Sequence, residues 1–295
     1  MKKISILLSI ALALFLFYNY QAVLGPAVAQ IEVWRLRSQD HSYRENPPAA
    51  SDDFSNGLSD RWTTRFINQL EAIHPGPEFG AGAFEVSEGR LFLTLKKDPA
   101  FDQKPGYNNV AWVGFQGYHP EPGRDVVARA IMQAGPGYFG SAGIVFEPVN
   151  MFQPDGTFLP GTSFNMFGVV ALGPESEMYG NSGAVCSLGL NRWPSYTASL
   201  GNANISEPHE YEVRLRWVDE NTWLGIISVD GVEQCRTEFP PFGPVELQLW
   251  SDNYQLYTAP WWKMGILQIE FQNGDKWFAF DSVSVQTEPA GSNTK

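Results

Sequence analysis

Cysteine is scarce in this chain. Only Cys186 and Cys235 occur among 295 residues, and neither has metal-ligand spacing. The four histidines, His41, His74, His119 and His209, form no H-x-x-x-H pair, so a zinc site is excluded on spacing. Basic side chains are also few, with 20 Lys and Arg against 32 Asp and Glu and a formal charge of −12. Such an acidic surface repels phosphate backbones, which excludes a nucleic-acid partner. Charged residues amount to 18% of the chain, too few for a charge-rich disordered protein, and neither a coiled-coil nor a collagen composition is present. No dozen-residue stretch has a convincing helical period; Ser59–Ala72 comes nearest, with room for a short turn. The G-x-S-x-G elbow, the P-loop and the dinucleotide fingerprint are missing too, and Gly80-Ala81-Gly82 signals only a turn.

What is present begins with an export signal. Lys2 and Lys3 precede an apolar run from Ile4 to Phe17, and Ala27-Val28-Ala29 offers small residues for cleavage before Gln30. Residues 1–29 therefore read as a signal peptide, and the protein as secreted or held in the cell envelope. An uncleaved anchor is the alternative, because the stretch lengthens through Leu24 toward the roughly 20 residues that a span needs. Membrane contact is expected only by that route. No Cys follows the run, so nothing marks a lipoprotein. In an exported chain Cys186 and Cys235 either close a loop of about 50 residues, adding about 3–4 kcal/mol, or sit apart as buried thiols.

Glycine and proline are abundant, 28 and 21 residues, and suit an all-β domain with many turns. Residues 30–51 form a polar N-terminal arm, 52–287 one sandwich domain, and 288–295 a flexible tail. Strand patterns recur between turn residues. Leu91, Leu93 and Leu95 alternate with Phe92, Thr94 and Lys96; Tyr211, Val213, Leu215 and Trp217 alternate with Glu212, Arg214 and Arg216. Val245, Leu247 and Leu249 alternate with Glu246, Gln248 and Trp250. A period of two with one apolar face predicts sheets buried on one side. Asp230-Gly231 between two runs predicts a hairpin turn. Two packed antiparallel sheets follow.

Four segments resemble the concanavalin A-like jelly roll, in the pattern of the laminarinase and lichenase glycoside hydrolases. Asp52-Asp53-Phe54-Ser55-Asn56-Gly57-Leu58 with Trp62 is similar to an opening strand. Phe84–Leu93 matches the V-x-x-G-x-L-x-L strand that follows. His209-Glu210-Tyr211, Trp217 and Val229-Asp230-Gly231 resemble an H-x-Y-x-x-x-W…V-D-G hairpin, with the Trp two positions late. Pro244–Trp250 and Phe280–Val285 resemble the closing strands. The family carries E-x-D-x-x-E or E-x-D-x-E on one strand, where alternation points nucleophile, acid/base and tuning Asp into a cleft. The segment in that place here, Ser163–Gly168, has no carboxylate. The resemblance thus implies the fold and argues against that family's chemistry. Candidate relocated acids are Glu147, Asp155, Glu175 and Glu177.

The remaining signal is aromatic: 10 Trp, 11 Tyr and 20 Phe. Most belong in a core, but Trp193, Trp250, Trp261 and Trp262 fall at strand ends or in loops. There they could stack on the C–H faces of sugar rings while amides such as Asn165 take the hydroxyls. A polysaccharide or cell-surface glycan is the expected partner. The resemblance also implies a structural calcium ion, with Asp53, Gly89 and Asp281 at the positions matching its ligands; oxygen-only coordination suits that ion. The expectation is an exported jelly roll that binds carbohydrate, with no catalytic residue assigned. The alternatives are a diverged glycosidase or lyase, and an envelope interaction protein.

Overall fold

The computed structural model describes residues 20–39, 41, 45–65, 80–81, 83–95, 108–138, 140–149, 165–173, 183–191, 193–201, 204–252, 254–257, 265–268 and 276–291. Two eight-stranded sheets pack face to face. The first holds β1 (Ala50–Asp52), β4 (Ala83–Ser87), β5 (Arg90–Leu95), β7 (Arg124–Ala134), β12 (His209–Asp219), β13 (Thr222–Val229), β14 (Val232–Phe239) and β18 (Lys276–Pro289). Its order is β14-β13-β12-β7-β18-β5-β4, with β1 also pairing β18. The second holds β2 (Thr63–Arg65), β3 (Gly80–Ala81), β6 (Asn108–Tyr118), β8 (Ser141–Pro148), β9 (Met166–Leu172), β10 (Gly183–Leu190), β11 (Trp193–Ser199) and β15 (Val245–Asp252). Its order is β11-β10-β9-β8-β15-β6-β2, and β3 adds a two-residue parallel pairing to β6. A separate hairpin joins β16 (Tyr254–Tyr257) to β17 (Gly265–Gln268).

Period-two alternation decides which side chains enter the core. Ala128, Ala130 and Met132 of β7 and Tyr211, Val213 and Leu215 of β12 meet Ile144, Phe146, Phe167 and Val169 of the opposite sheet. Aromatics fill one end, where Phe239 stacks on Phe242 at 5.4 Å and lies 5.2 Å from Phe167. Gly225 makes that possible: a Cβ there would stand 2.5 Å from the Phe167 ring. Asp230 and Gly231 both have positive φ, as a two-residue hairpin turn demands.

The elements at the two ends of the chain depart from the sequence expectation. A helix, α1 (Tyr20–Arg37), runs without a break through the expected cleavage site at Ala29/Gln30 and includes the first residues of the polar arm. It packs on β10 and β11. Its C-terminus is closed by the His41 ring, whose Nε2 lies 2.8 Å from the Leu36 carbonyl, and by the Ser38 hydroxyl donating to the Arg35 carbonyl. Thr63–Arg65, inside the segment expected to hold a turn, is strand and pairs β6; residues 66–72 lie outside the described residues. Strand β18 continues through Glu288 and Pro289, past the expected end of the sandwich, because Glu288 is held by Arg129 and Arg214.

Cys186 and Cys235 are bonded to each other, with Cα atoms 6.6 Å apart. Since Cys186 lies on β10 and Cys235 on β14, the bridge spans the two sheets.

Candidate functional site

The outer face of the second sheet carries the densest set of buried polar groups. On β8 the core takes Ala142, Ile144 and Phe146, which leaves Gly143, Val145 and Glu147 facing outward. On β15 the core takes Val245, Leu247 and Leu249, leaving Glu246, Gln248 and Trp250 outward. The antiparallel register sets Glu246 directly opposite Glu147, Gln248 opposite Val145 and Trp250 opposite Gly143. Cross-strand neighbours on one face have Cβ atoms about 4.5–5.5 Å apart, so the two carboxylates are a pair. Both are fully buried. Gln248, next to Glu246 on the same face, is buried as well, and its Nε2 has no hydrogen-bond partner among the described residues. An amide left that way costs about 1–3 kcal/mol, a cost that a ligand acceptor would remove.

Small residues floor the same face. A Cβ on Gly168 of β9 would collide with the Ile144 carbonyl and come within 2.6 Å of the Val145 Cα. One on Gly143 would meet the Val169 carbonyl and stand 3.2 Å from the Trp250 ring. The outward positions of β9 are thus Met166, Gly168, Val170 and Leu172, with no acid among them and no room for one at Gly168. Trp250 packs there with Val145, Val170, Leu172 and Val185. Ser187 of β10 lies beside Gly168 and is buried.

Asn165 enters β9 fully buried. Its Nδ2 donates to Glu32 Oε1 at 2.8 Å, and its Oδ1 accepts from the Asn191 backbone at 2.9 Å. Glu32 in turn accepts from Arg35 Nε at 2.7 Å and from Arg35 Nη2 at 2.6 Å. Asn165 therefore ties helix α1 to the β10–β11 turn. Trp193 pairs with Leu190 at the start of β11, and its side chain lies outside the described residues. Trp261, Trp262, Asp155, Glu175 and Glu177 lie outside them altogether.

On the first sheet, Gly89 comes close to Asp53, and Asp281 falls between the two ladders of β18. The β5 ladder along β18 ends at Phe280↔Leu91, and the β1 ladder begins at Asp52↔Val283. Asp281 and Ser282 are left between the two, opposite the residues where β1 ends and β5 begins. Gly89, at φ 71°, would place a Cβ 3.8 Å from the Asp53 carbonyl. The Asp53 carboxylate accepts from the Ser55 backbone and hydroxyl, which hold its pKa low. No group of three His, Cys, Asp or Glu lies together among the described residues, so an ion here would depend on backbone carbonyls plus Asp281. Donors of that kind suit calcium.

The two motif clusters close on themselves. Asp52 accepts from the Phe54 backbone at 2.9 Å and from the Trp62 indole at 2.8 Å. His209 Nδ1 lies 2.7 Å from Asp230 Oδ2, and Asp230 also accepts from the Glu210 backbone. Burial raises the Asp230 pKa, but His209 and that backbone donor bring it below the usual carboxylate value.

The chain matches no protein-family model and no curated protein. Solved structures do resemble it. An endo-1,3-β-glucanase from Streptomyces sioyaensis superimposes with a TM-score of 0.57 at 13% identity, covering 84% of this chain and 100% of that one. A β-1,3-1,4-glucanase (lichenase) from a mouse hindgut metagenome gives 0.53 at 16%, covering 81% and 99%. An endo-acting O-glycanase of the human gut microbiota gives 0.51 at 16%, covering 80% and 98%. The fold is the concanavalin A-like jelly roll.

Within this jelly roll, sequence reasoning named one acid of the buried pair and missed the other. Glu246 reads as the polar side of an alternating strand, indistinguishable from a solvent-facing residue. Only the register of β15 against β8 brings it to Glu147.

Proposed function

We propose that the protein is an exported glycan-binding jelly roll whose saccharide lies along the outer face of the second sheet. The observation that carries this reading is the buried row of Glu246, Gln248 and Trp250 opposite Glu147, with Gln248 Nε2 awaiting an acceptor. Sugar hydroxyls supply such acceptors, and ring C–H faces stack on indole. Three of the structures with this fold are named for glucanases or glycanases, which supports a carbohydrate ligand. The Cys186–Cys235 bond supports an oxidising compartment outside the cytoplasm. The absence of acids on the outward positions of β9 supports binding without the single-strand carboxylate mechanism. A glycan array run beside a reducing-sugar assay tests both halves. Binding to a polysaccharide class without release of reducing ends is expected; a blank on both assays would leave only an envelope interaction protein.

A second reading rests on the carboxylate pair. Retaining glycosidases need two carboxyls about 5–5.5 Å apart, and Glu147 stands directly opposite Glu246 on neighbouring strands of the outer face. One would attack the anomeric carbon while the other protonates the departing oxygen. Water, deprotonated by that second residue, would then free the sugar. If reducing ends appear, Glu147→Gln and Glu246→Gln should each cut the rate by about 100-fold or more while binding persists. Retention of rate in both variants would exclude the pair.

Calcium at the Asp53–Gly89–Asp281 junction is a further part of the proposal. The ion would be held by the Asp281 carboxylate and the Asp53 and Gly89 carbonyls, where it would tie the first and last strands together. Calorimetry should show a lower melting midpoint after chelation and recovery with added calcium. An unchanged midpoint would remove the ion from the protein.

A further inference from the structure

Helix α1 has two apolar stripes, and only one of them faces protein. Ala29 and Leu36 are buried in the main core, Val33 packs against it, and Glu32 is buried between Arg35 and Asn165. On the opposite side Ala27, Ile31 and Trp34 follow one another at i, i+4 and i+7, and all three are exposed. Ile31 is 65% exposed and Trp34 74%, more than any other large hydrophobic among the described residues. Such a stripe on a helix clamped to a folded domain marks a contact surface.

The apolar run that leads into the helix identifies its occupant, and its last five residues, Tyr20–Leu24, are the first of α1. From Ile4 to Leu24 the sequence holds 21 residues without a charged side chain, preceded by Lys2 and Lys3. That length matches the roughly 20 residues of a span, and flanking lysines favour the cytoplasmic side, which puts the sandwich outside. Helix α1 itself is not long and apolar enough to cross a membrane. Its outward stripe does have the make-up of an interfacial helix, with an indole near its end and Arg37 beside it.

We propose that the N-terminal run is retained as a membrane anchor and that α1 from Gly25 onward lies in the lipid–water interface. The Ala27–Ile31–Trp34 stripe enters the bilayer, while the Ala29–Glu32–Leu36 stripe fixes the domain at a set distance above it. The full chain, expressed with its own N-terminus in a bacterial host, tests this. Intact mass should show Met1 or Lys2 as the first residue, and the protein should stay with membranes through an alkaline carbonate wash. A mature N-terminus at Gln30 in the soluble fraction would overturn the proposal.

A second measurement isolates the helix. With the full chain in liposomes containing bromine-labelled lipid, Trp34→Phe should lower the quenchable tryptophan fluorescence about twofold. Equal quenching in both proteins would place Trp34 away from lipid and overturn the interfacial assignment. So would a detergent-solubilised dimer that Ile31→Glu separates, because the stripe would then be covered by a second copy.

Discussion

Reducing the Cys186–Cys235 bond should lower the unfolding free energy by about 4 kcal/mol. The cysteines are 49 residues apart in sequence, and opening a loop of that size returns the corresponding entropy to the unfolded chain. In a domain of this length the change corresponds to a fall in melting temperature of roughly 8–16 °C. The position of the bond adds to the expectation. Strand β14 is the edge of the first sheet, and five of the six residues from Val232 to Thr237 are exposed or half-buried. With little apolar area of its own, it is held by its ladder to β13 and by this link to β10 in the opposite sheet. Urea unfolding of the wild type with and without reductant, beside the double variant Cys186→Ala/Cys235→Ala, measures the effect. Coincident curves under the three conditions would show that the edge needs no covalent support.

The second large effect concerns Arg214. Its guanidinium binds Asp125 at 3.0 Å, Glu212 at 3.0 Å and Glu288 at 2.9 Å. Arg216 adds a contact to Asp125 at 2.8 Å, and Arg129 bridges Glu212 and Glu288. Asp125 is fully buried, and the Arg214 side chain is nearly so. Arg214→Met takes one fork out of this network and leaves three carboxylates short of a partner. Breaking a buried pair in this way costs about 3–5 kcal/mol, whereas an exposed pair is worth about 0–1 kcal/mol. Lysine should recover little of the loss, since a single ammonium cannot hold three carboxylates in fixed directions.

The same network sets an acid limit. Burial alone would raise the Glu288 carboxyl, but Arg129, Gln286 and Arg214 outweigh it and hold the pKa down at about 2, from 4.5. A folded-state value below the unfolded one means that the contribution is complete above pH 4.5 and is lost as the pH falls through about 2. Unfolding midpoints should therefore decline across that interval, and less steeply in Arg214→Met. Identical acid profiles in the two proteins would show that Glu288 is not coupled to Arg214.

Strands with an alternating apolar side were legible in sequence, as β5, β12 and β15 illustrate. Strand β14 was implied only by the hairpin turn before it, because an edge strand with one solvated face and Glu233, Gln234 and Arg236 along it has no alternating signature. Helix α1 escaped for a different reason. Much of its buried stripe, Gly25, Ala29 and Glu32, is small or charged, which leaves Val33 and Leu36 too few for a periodicity of large hydrophobics, and its start coincides with an export-like segment. Of the candidate site, Trp250 and Glu147 were visible locally. Their relation to Glu246 was not, since a register between strands distant in sequence is set by the whole sheet rather than by the neighbours of either residue.

The pairing of the first strand with the last has a mechanical meaning. Chain enters β1 at Ala50, opposite Val285, and leaves β18 at Pro289, so both ends emerge on the same side of their shared ladder. A load applied between the N-terminal segment and anything attached at the C-terminus would pull that ladder apart one hydrogen bond at a time, instead of shearing several together. The cross-sheet disulfide joins other strands and does not brace this seam. Tension that reaches β1 would thus open the Ala50–Val285 end of the ladder first and arrive last at Asp53, Gly89 and Asp281.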